Sequence, residues 1–125
     1  MKYKFTKEER LNSEKAIKEL FDKGSSFFLH PFKLLLITTP EGSVNKVLIS
    51  VSKRKIKKAV DRNLIKRRIK EAYRLHKHLL ESQNLGKVSI AFIYIASDIL
   101  PYQVIEEKLI LSLERLVIDL KSKVS

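Results

Sequence analysis

A chain of 125 residues with 44% hydrophobic content has the size of one domain, residues 1–125, and can bury a core without disulfide or metal staples. Lys and Arg outnumber Asp and Glu by 26 to 14, a net charge of +12, and such an excess points to a polyanionic partner. The lack of cysteine excludes disulfides, thiolate zinc sites and thiol nucleophiles, while the opening MKYKFTKEERLN has no apolar region for a secretory signal and no later stretch is long enough to span a bilayer; the cytoplasm is the expected compartment.

In chain order, residues Ser13 to Lys23 read as a short helix with Ser13 or Asn12 as cap, Ala16, Ile17, Leu20 and Phe21 on one face, and Gly24 as the stop. Ser26 to Thr39 reads as strand interrupted near Pro31, apolar on both faces and therefore central in a sheet. Pro40 to Ser43 is a turn, and Val44 to Ser52 is expected to be a second strand forming a hairpin with the first. A helix of roughly 20 residues follows, then a loop around Gln83 to Lys87 and a third strand from Val88 to Ile95. Pro101 opens a last helix, along which Ile105, Leu109, Leu113, Leu116 and Leu120 recur at helical spacing. The order helix, strand, strand, helix, strand, helix predicts a two-layer α+β sandwich.

The charge is concentrated in one place. The run SKRKIKKAVDRNLIKRRIKEAYRLHKHL, Ser52 to Leu79, holds 12 of the 26 basic residues against two acids, Asp61 and Glu71. On a helical wheel Ile65, Ile69, Ala72, Tyr73, His76, Leu79 and Leu80 share one side, and Asn63, Lys66, Arg67, Lys70, Arg74 and Lys77 form a continuous arc on another. An ordinary solvated face mixes signs to gain i to i+4 pairs, whereas these cations sit side by side and repel. Successive charges at Lys66, Lys70, Arg74 and Lys77 rise about 5 to 6 Å, comparable to the spacing of phosphates along a nucleic-acid strand. Arg67 and Arg68 can each grip a phosphate with paired hydrogen bonds, and Asn63 offers a donor and an acceptor to base or sugar edges. Nucleic acid is the expected partner. An anionic membrane fits less well, because the apolar side of this helix is needed for the core.

No catalytic constellation accompanies the charge. The pairs Glu8-Glu9 and Glu106-Glu107 lie in segments that read as solvated, and His76 and His78, two residues apart, turn about 200° away from each other on a helix, so no metal site is expected.

The segments SVSK, Ser50 to Lys53, and KKAVDRNLIKRRIKEAYR, Lys57 to Arg74, resemble the bacterial ribonuclease P protein component. Arg62, Asn63, Ile65, Lys66, Arg67, Glu71, Ala72 and Tyr73 hold the places of that family's Arg-Asn-Arg helix, and the Phe21 to Gly24 ending of the first helix fits as well. The resemblance implies an α+β sandwich with a left-handed βαβ crossover through the basic helix. It implies a protein subunit of an endoribonuclease that removes the 5′ leader of precursor tRNA, with catalysis and magnesium carried by the RNA subunit and no cofactor in the protein itself. Arg62, Asn63, Lys66, Arg67 and Lys70 would contact the catalytic RNA, with Arg68 and Arg74 adding to the same basic surface. A separate cleft between the first helix and the sheet would guide the single-stranded leader through Ile17, Phe21 and Leu35, with Lys53 reaching leader phosphate. This chain departs from the family at Leu64, which replaces the second Arg of the signature, and at Lys55, Lys57 and Lys58, where relatives often have small residues. A non-catalytic ribosomal or RNA-assembly protein is the alternative that composition leaves open. A DNA reader is disfavoured, since nothing resembles a helix-turn-helix partner before the basic helix.

Overall fold

The computed structural model describes residues 4–124. Helix α1 (Glu14–Lys23) is followed by strands β1 (Ser25–Leu29), β2 (Phe32–Thr38) and β3 (Lys46–Val51), helix α2 (Ala59–His76), one turn of helix α3 (His78–Glu81), strand β4 (Val88–Tyr94) and helix α4 (Tyr102–Val124). Local chemistry sets the boundaries of α1. The Ser13 hydroxyl oxygen accepts from the Ala16 N–H at 3.3 Å, and a side chain at Gly24 would stand only 2.4 Å from the Leu20 carbonyl oxygen.

The α+β class and the parallel pairing of the strands that flank α2 are as expected, but the hairpin is not. The chain reverses at the cis His30–Pro31 bond, so Ser26 to Thr39 is two strands, β1 and β2, paired antiparallel with Phe27 opposite Leu34. The hairpin expected between this region and Val44 to Ser52 does not form: the sheet order is β1-β2-β4-β3, with β4 antiparallel to β2 and parallel to β3. The physical reason lies in β4, which is buried along nearly its whole length and so requires a strand on each side. The Thr39–Asn45 loop is tied to that strand's start, since Thr39 N–H donates to the Lys87 carbonyl at 2.8 Å and the buried Asn45 Oδ1 accepts from Val88 N–H at 3.0 Å. The turn signal at Pro40 to Ser43 is thus a real turn that delivers the chain to the far edge of the sheet.

One sheet face packs against α2 and α4. Phe32, Phe92 and Tyr94 meet edge-on with ring centroids 5.8 and 6.2 Å apart, and Tyr73 of α2 lies 6.0 Å from Phe92. Ile65, Ile69 and Ala72 of α2 and the whole predicted stripe of α4, Ile105, Leu109, Leu113, Leu116 and Leu120, complete this core. Burying each such large side chain stabilises the fold by about 1.5 to 3 kcal/mol. The opposite face is only partly covered: α1 sets Leu20, with Ala16 and Ile17, over Leu35 and Ala91. The residues before α1 wrap the exposed edge of β3. Val47 N–H donates to the Glu9 carbonyl at 2.7 Å and Leu11 N–H to the Val47 carbonyl at 2.9 Å, which blunts a strand edge that would otherwise be open to another chain.

Candidate nucleic-acid interface

The approach to α2 is a structured cationic loop. Ile56 is buried and its N–H donates to the Ser52 carbonyl at 3.0 Å, holding the loop down while Lys53, Arg54, Lys55, Lys57 and Lys58 all stay exposed. Lys58 at the helix cap makes no side-chain capping bond. Arg62 instead reaches back, donating from Nη1 to the carbonyls of Ile56 at 2.9 Å and Lys57 at 2.8 Å. One nitrogen of Arg62 therefore fixes the loop, which leaves its other donors for a second partner.

Along α2, Asn63, Arg67 and Lys70 are exposed on the side away from Ile65, Ile69 and Ala72, and Lys66 is half-buried at the border between the two sides. Among the described residues the ion pairs are Arg74–Glu71, His76–Glu106 and Lys77–Glu9, so no acid neutralises Lys66, Arg67 or Lys70. A protein that held these charges only for its own stability would pair them. Two other basic residues are partly committed to the fold. Arg68 donates to the Leu100 carbonyl at 2.7 Å, joining α2 to the start of α4, and Arg74 donates from Nε to Glu71 Oε1 at 2.8 Å.

Lys77 corrects the helical-wheel reading. It is not part of the cationic arc: it is only 7% exposed, and its ammonium donates to Glu9 at 2.8 and 3.0 Å and to the Lys4 carbonyl. The reason is tertiary, because the N-terminal segment folds over this end of α2, with Phe5 packed edge-on against Tyr73 at 5.7 Å. Burial pushes the Glu9 carboxyl upward, but the hydrogen bonds from Lys77 and Thr6 outweigh it and hold the group below its ordinary range. The helix also breaks at Lys77, so the His76 and His78 rings lie 6.3 Å apart instead of on opposite sides. No group of three or more His, Asp or Glu side chains able to hold a metal occurs among the described residues.

A second candidate surface lies on the partly covered sheet face. Leu35 sits beneath α1 and is 5% exposed, Ile17 is half-buried beside it, and Phe21 projects from the end of α1 with 51% of its surface in solvent. Pairing registers place Phe28, Lys33, Ile93 and Ser50 in one row across all four strands on this same face, next to the row containing Leu35 and Ala91. Phe28 is 64% exposed, with the Lys33 ammonium 5.5 Å from its ring centre. Lys53 follows β3 just past the Ser50 end of that row. Phe28 and Lys33 were not singled out from sequence. The signal was there, in the alternation of buried Phe27 with its neighbour once Ser25–Leu29 is read as a separate edge strand.

The fold has counterparts among known proteins. The family profile described as Ribonuclease P matches residues 5–117. The chain belongs to the bacterial ribonuclease P protein family. Ribonuclease P protein components of Porphyromonas gingivalis, 31% identical over 89% of this chain and 85% of that protein, and Citrifermentans bemidjiense, 34% identical over 90% and 91%, are among its relatives. The Staphylococcus aureus RNase P protein structure superposes with a TM-score of 0.72 at 25% identity, covering 87% of this chain and 94% of that one. The RNase P protein from Thermotoga maritima has the same fold, with a TM-score of 0.72 over 86% of this chain and 96% of its own, at 24% identity. Membership makes this chain a ribonuclease P protein component, a subunit of an endoribonuclease and a partner of ribonuclease P RNA. No helix among the described residues is long and apolar enough to cross a membrane.

Proposed function

We propose that α2 and its entry loop bind the catalytic RNA of ribonuclease P, that the open sheet face beside α1 binds the single-stranded 5′ leader of precursor tRNA, and that the protein thereby assists endonucleolytic removal of the leader. The observation that carries this reading is the flank of Lys66, Arg67 and Lys70, which no acid neutralises among the described residues. Cations kept apart from carboxylates cost folding stability through mutual repulsion and gain from phosphate through counterion release. Asn63 and the remaining donors of Arg62 extend the flank toward the loop, and Arg68 and Arg74 border it on the other side.

The leader surface works by a different interaction. Phe21 and Phe28 offer exposed aromatic faces on which unpaired bases can stack whatever their sequence, while Lys33 and Lys53 supply charge for the backbone beside them. Ile17 and Leu35 line and support the floor rather than stack. The two surfaces lie on different faces of the sheet, so one protein can hold a folded RNA and a flexible strand at once. Its +12 charge lowers the repulsion between those two polyanions. On this reading catalysis and its magnesium ions belong to the RNA subunit, and the protein acts in the cytoplasm without a cofactor of its own.

Reconstitution tests the proposal. Added to cognate ribonuclease P RNA at low magnesium, the protein should increase precursor-tRNA cleavage, and without the RNA it should cleave nothing. Unchanged rate and unchanged substrate affinity would reject the assignment.

A further inference from the structure

A groove with a volume of about 420 Å³ lies between α2 and the start of α4, away from the leader surface. Its composition is unusual for a gap between two helices. Leu64 and Tyr102 provide apolar walls, while Arg67, Arg68, Lys70 and Arg74 ring them with charge. The carboxylate within it, Glu71, pairs with Arg74, and no ion pair among the described residues engages Arg67, Arg68 or Lys70. Leu64, the residue that departs from the family signature, thus supplies an apolar wall.

Two of these side chains are held in place before any partner arrives. Arg68 is pinned by its bond to the Leu100 carbonyl at 2.7 Å, so its planar guanidinium is oriented and its remaining N–H groups are available. The Tyr102 hydroxyl donates to Glu106 Oε2 at 3.2 Å, and that same oxygen lies 2.9 Å from His76 Nε2, which anchors the ring at its far end. Burial and the neighbouring Glu106 carboxylate push the Tyr102 hydroxyl up to about 12, so it remains a neutral donor at any physiological pH. Tyr102 is also the first residue of α4, which sets the positive end of that 23-residue helix at the rim.

We propose that this groove receives one unstacked nucleotide of the ribonuclease P RNA, its base against Tyr102 and Leu64 and its phosphates on Arg67 and Arg68. The inference rests on the reading of α2 as the surface that meets that RNA, and adds a discrete nucleotide site to it. A groove of this volume accommodates a base and its sugar. Only RNA with a base out of its stack can enter, because a paired base has no face to offer. Lys70 also lines a neighbouring groove with Lys66, Arg10 and Phe5, so the phosphate track along α2 runs continuously past the site.

The chain contains no tryptophan, so Tyr102→Trp places a single reporter in the groove. Emission should be quenched when cognate ribonuclease P RNA binds and remain unchanged with a fully paired RNA duplex of equal charge. Tyr102→Phe should bind the RNA as the native protein does, whereas Tyr102→Ala should weaken binding roughly fivefold to a hundredfold without altering the salt slope, as loss of a stacking contact requires. Leu64→Asp, at a half-exposed position outside the core, should weaken binding at least as much with an unchanged melting temperature, and it decides the matter if Tyr102→Ala does not fold. Binding with unchanged emission, or full affinity in Leu64→Asp, overturns the nucleotide site. Quenching by micromolar UMP or AMP would overturn the assignment to RNA in favour of a loose nucleotide. The Lys66, Arg67 and Lys70 triple alanine variant separates the two levels: if it too binds normally, the reading of α2 falls, and if it alone fails, only the nucleotide site does.

Discussion

The two ends of α2 put the same residue type to opposite uses. Lys70 and Lys77 stand two turns apart on one flank of the sequence pattern, yet Lys70 is exposed with no ion-pair partner among the described residues and Lys77 is sealed against Glu9. What differs is the chain opposite them. A segment 68 residues earlier folds over the C-terminal end of the helix, whereas no ion pair among the described residues engages Lys66, Arg67 or Lys70. A cation's role is therefore set by its neighbour in space, and a uniform run of basic residues conceals a boundary between charge used to close the fold and charge left for a partner. The same boundary separates Phe27 from Phe28 in β1: the first is 8% exposed, with the Arg115 guanidinium 4.4 Å from its ring centre, and the second is 64% exposed.

Removing Lys77 is the strongest way to break the comparison. Lys77→Ala leaves Glu9 buried without its counter-charge and should cost about 3 to 5 kcal/mol in urea unfolding. A cost below about 1 kcal/mol would mean that Lys77 behaves as a surface cation after all. Because the Glu9 carboxyl is held below its ordinary value of 4.5, its contribution is complete above that value and fades as the pH falls through the depressed one. Acid unfolding should accordingly be less steep in Glu9→Gln than in the native protein.

The aromatic pair sharpens the contrast next. Phe27→Ala should destabilise by about 3 kcal/mol, whereas Phe28→Ala and Phe21→Ala should leave melting nearly unchanged and lower affinity for precursor tRNA by about 1 to 3 kcal/mol. Mature tRNA, which lacks a leader, should bind these two variants as it binds the native protein. Equal losses for both RNAs would place the stacking surface elsewhere.

Smaller effects probe each end of α2 directly. The Tyr73 hydroxyl is buried without a hydrogen-bond partner among the described residues, so Tyr73→Phe should be neutral or stabilise by about 1 kcal/mol in thermal melts. Triple replacement of Lys66, Arg67 and Lys70 by alanine should change stability least, by less than about 0.5 kcal/mol per site, because no native contact with an acid is lost. The log–log salt slope of RNA binding should meanwhile fall by about 2 to 3. An unchanged slope would show that these cations do not meet phosphate.

Much of this was legible in the chain, and the reason is range. The Ser13 cap and Gly24 stop, the buried stripe of α4, the apolar side of α2 and the exposed Asn63, Arg67 and Lys70 all follow from interactions within four residues, which periodicity reports directly. The Arg62 to Tyr73 motif carried the family as well. Partner choice was not legible. The insertion of β4 between β2 and β3, the burial of Lys77 by Glu9, the pinning of Arg68 to Leu100 and the meeting of Leu64 with Tyr102 each join residues 30 or more positions apart. By itself the sequence determined which segments are helical, where charge accumulates and which family they compose. Only the tertiary structure decided which cations stay exposed and which are sealed into the fold, because burial and pairing depend on surfaces that packing brings together and that no local pattern encodes.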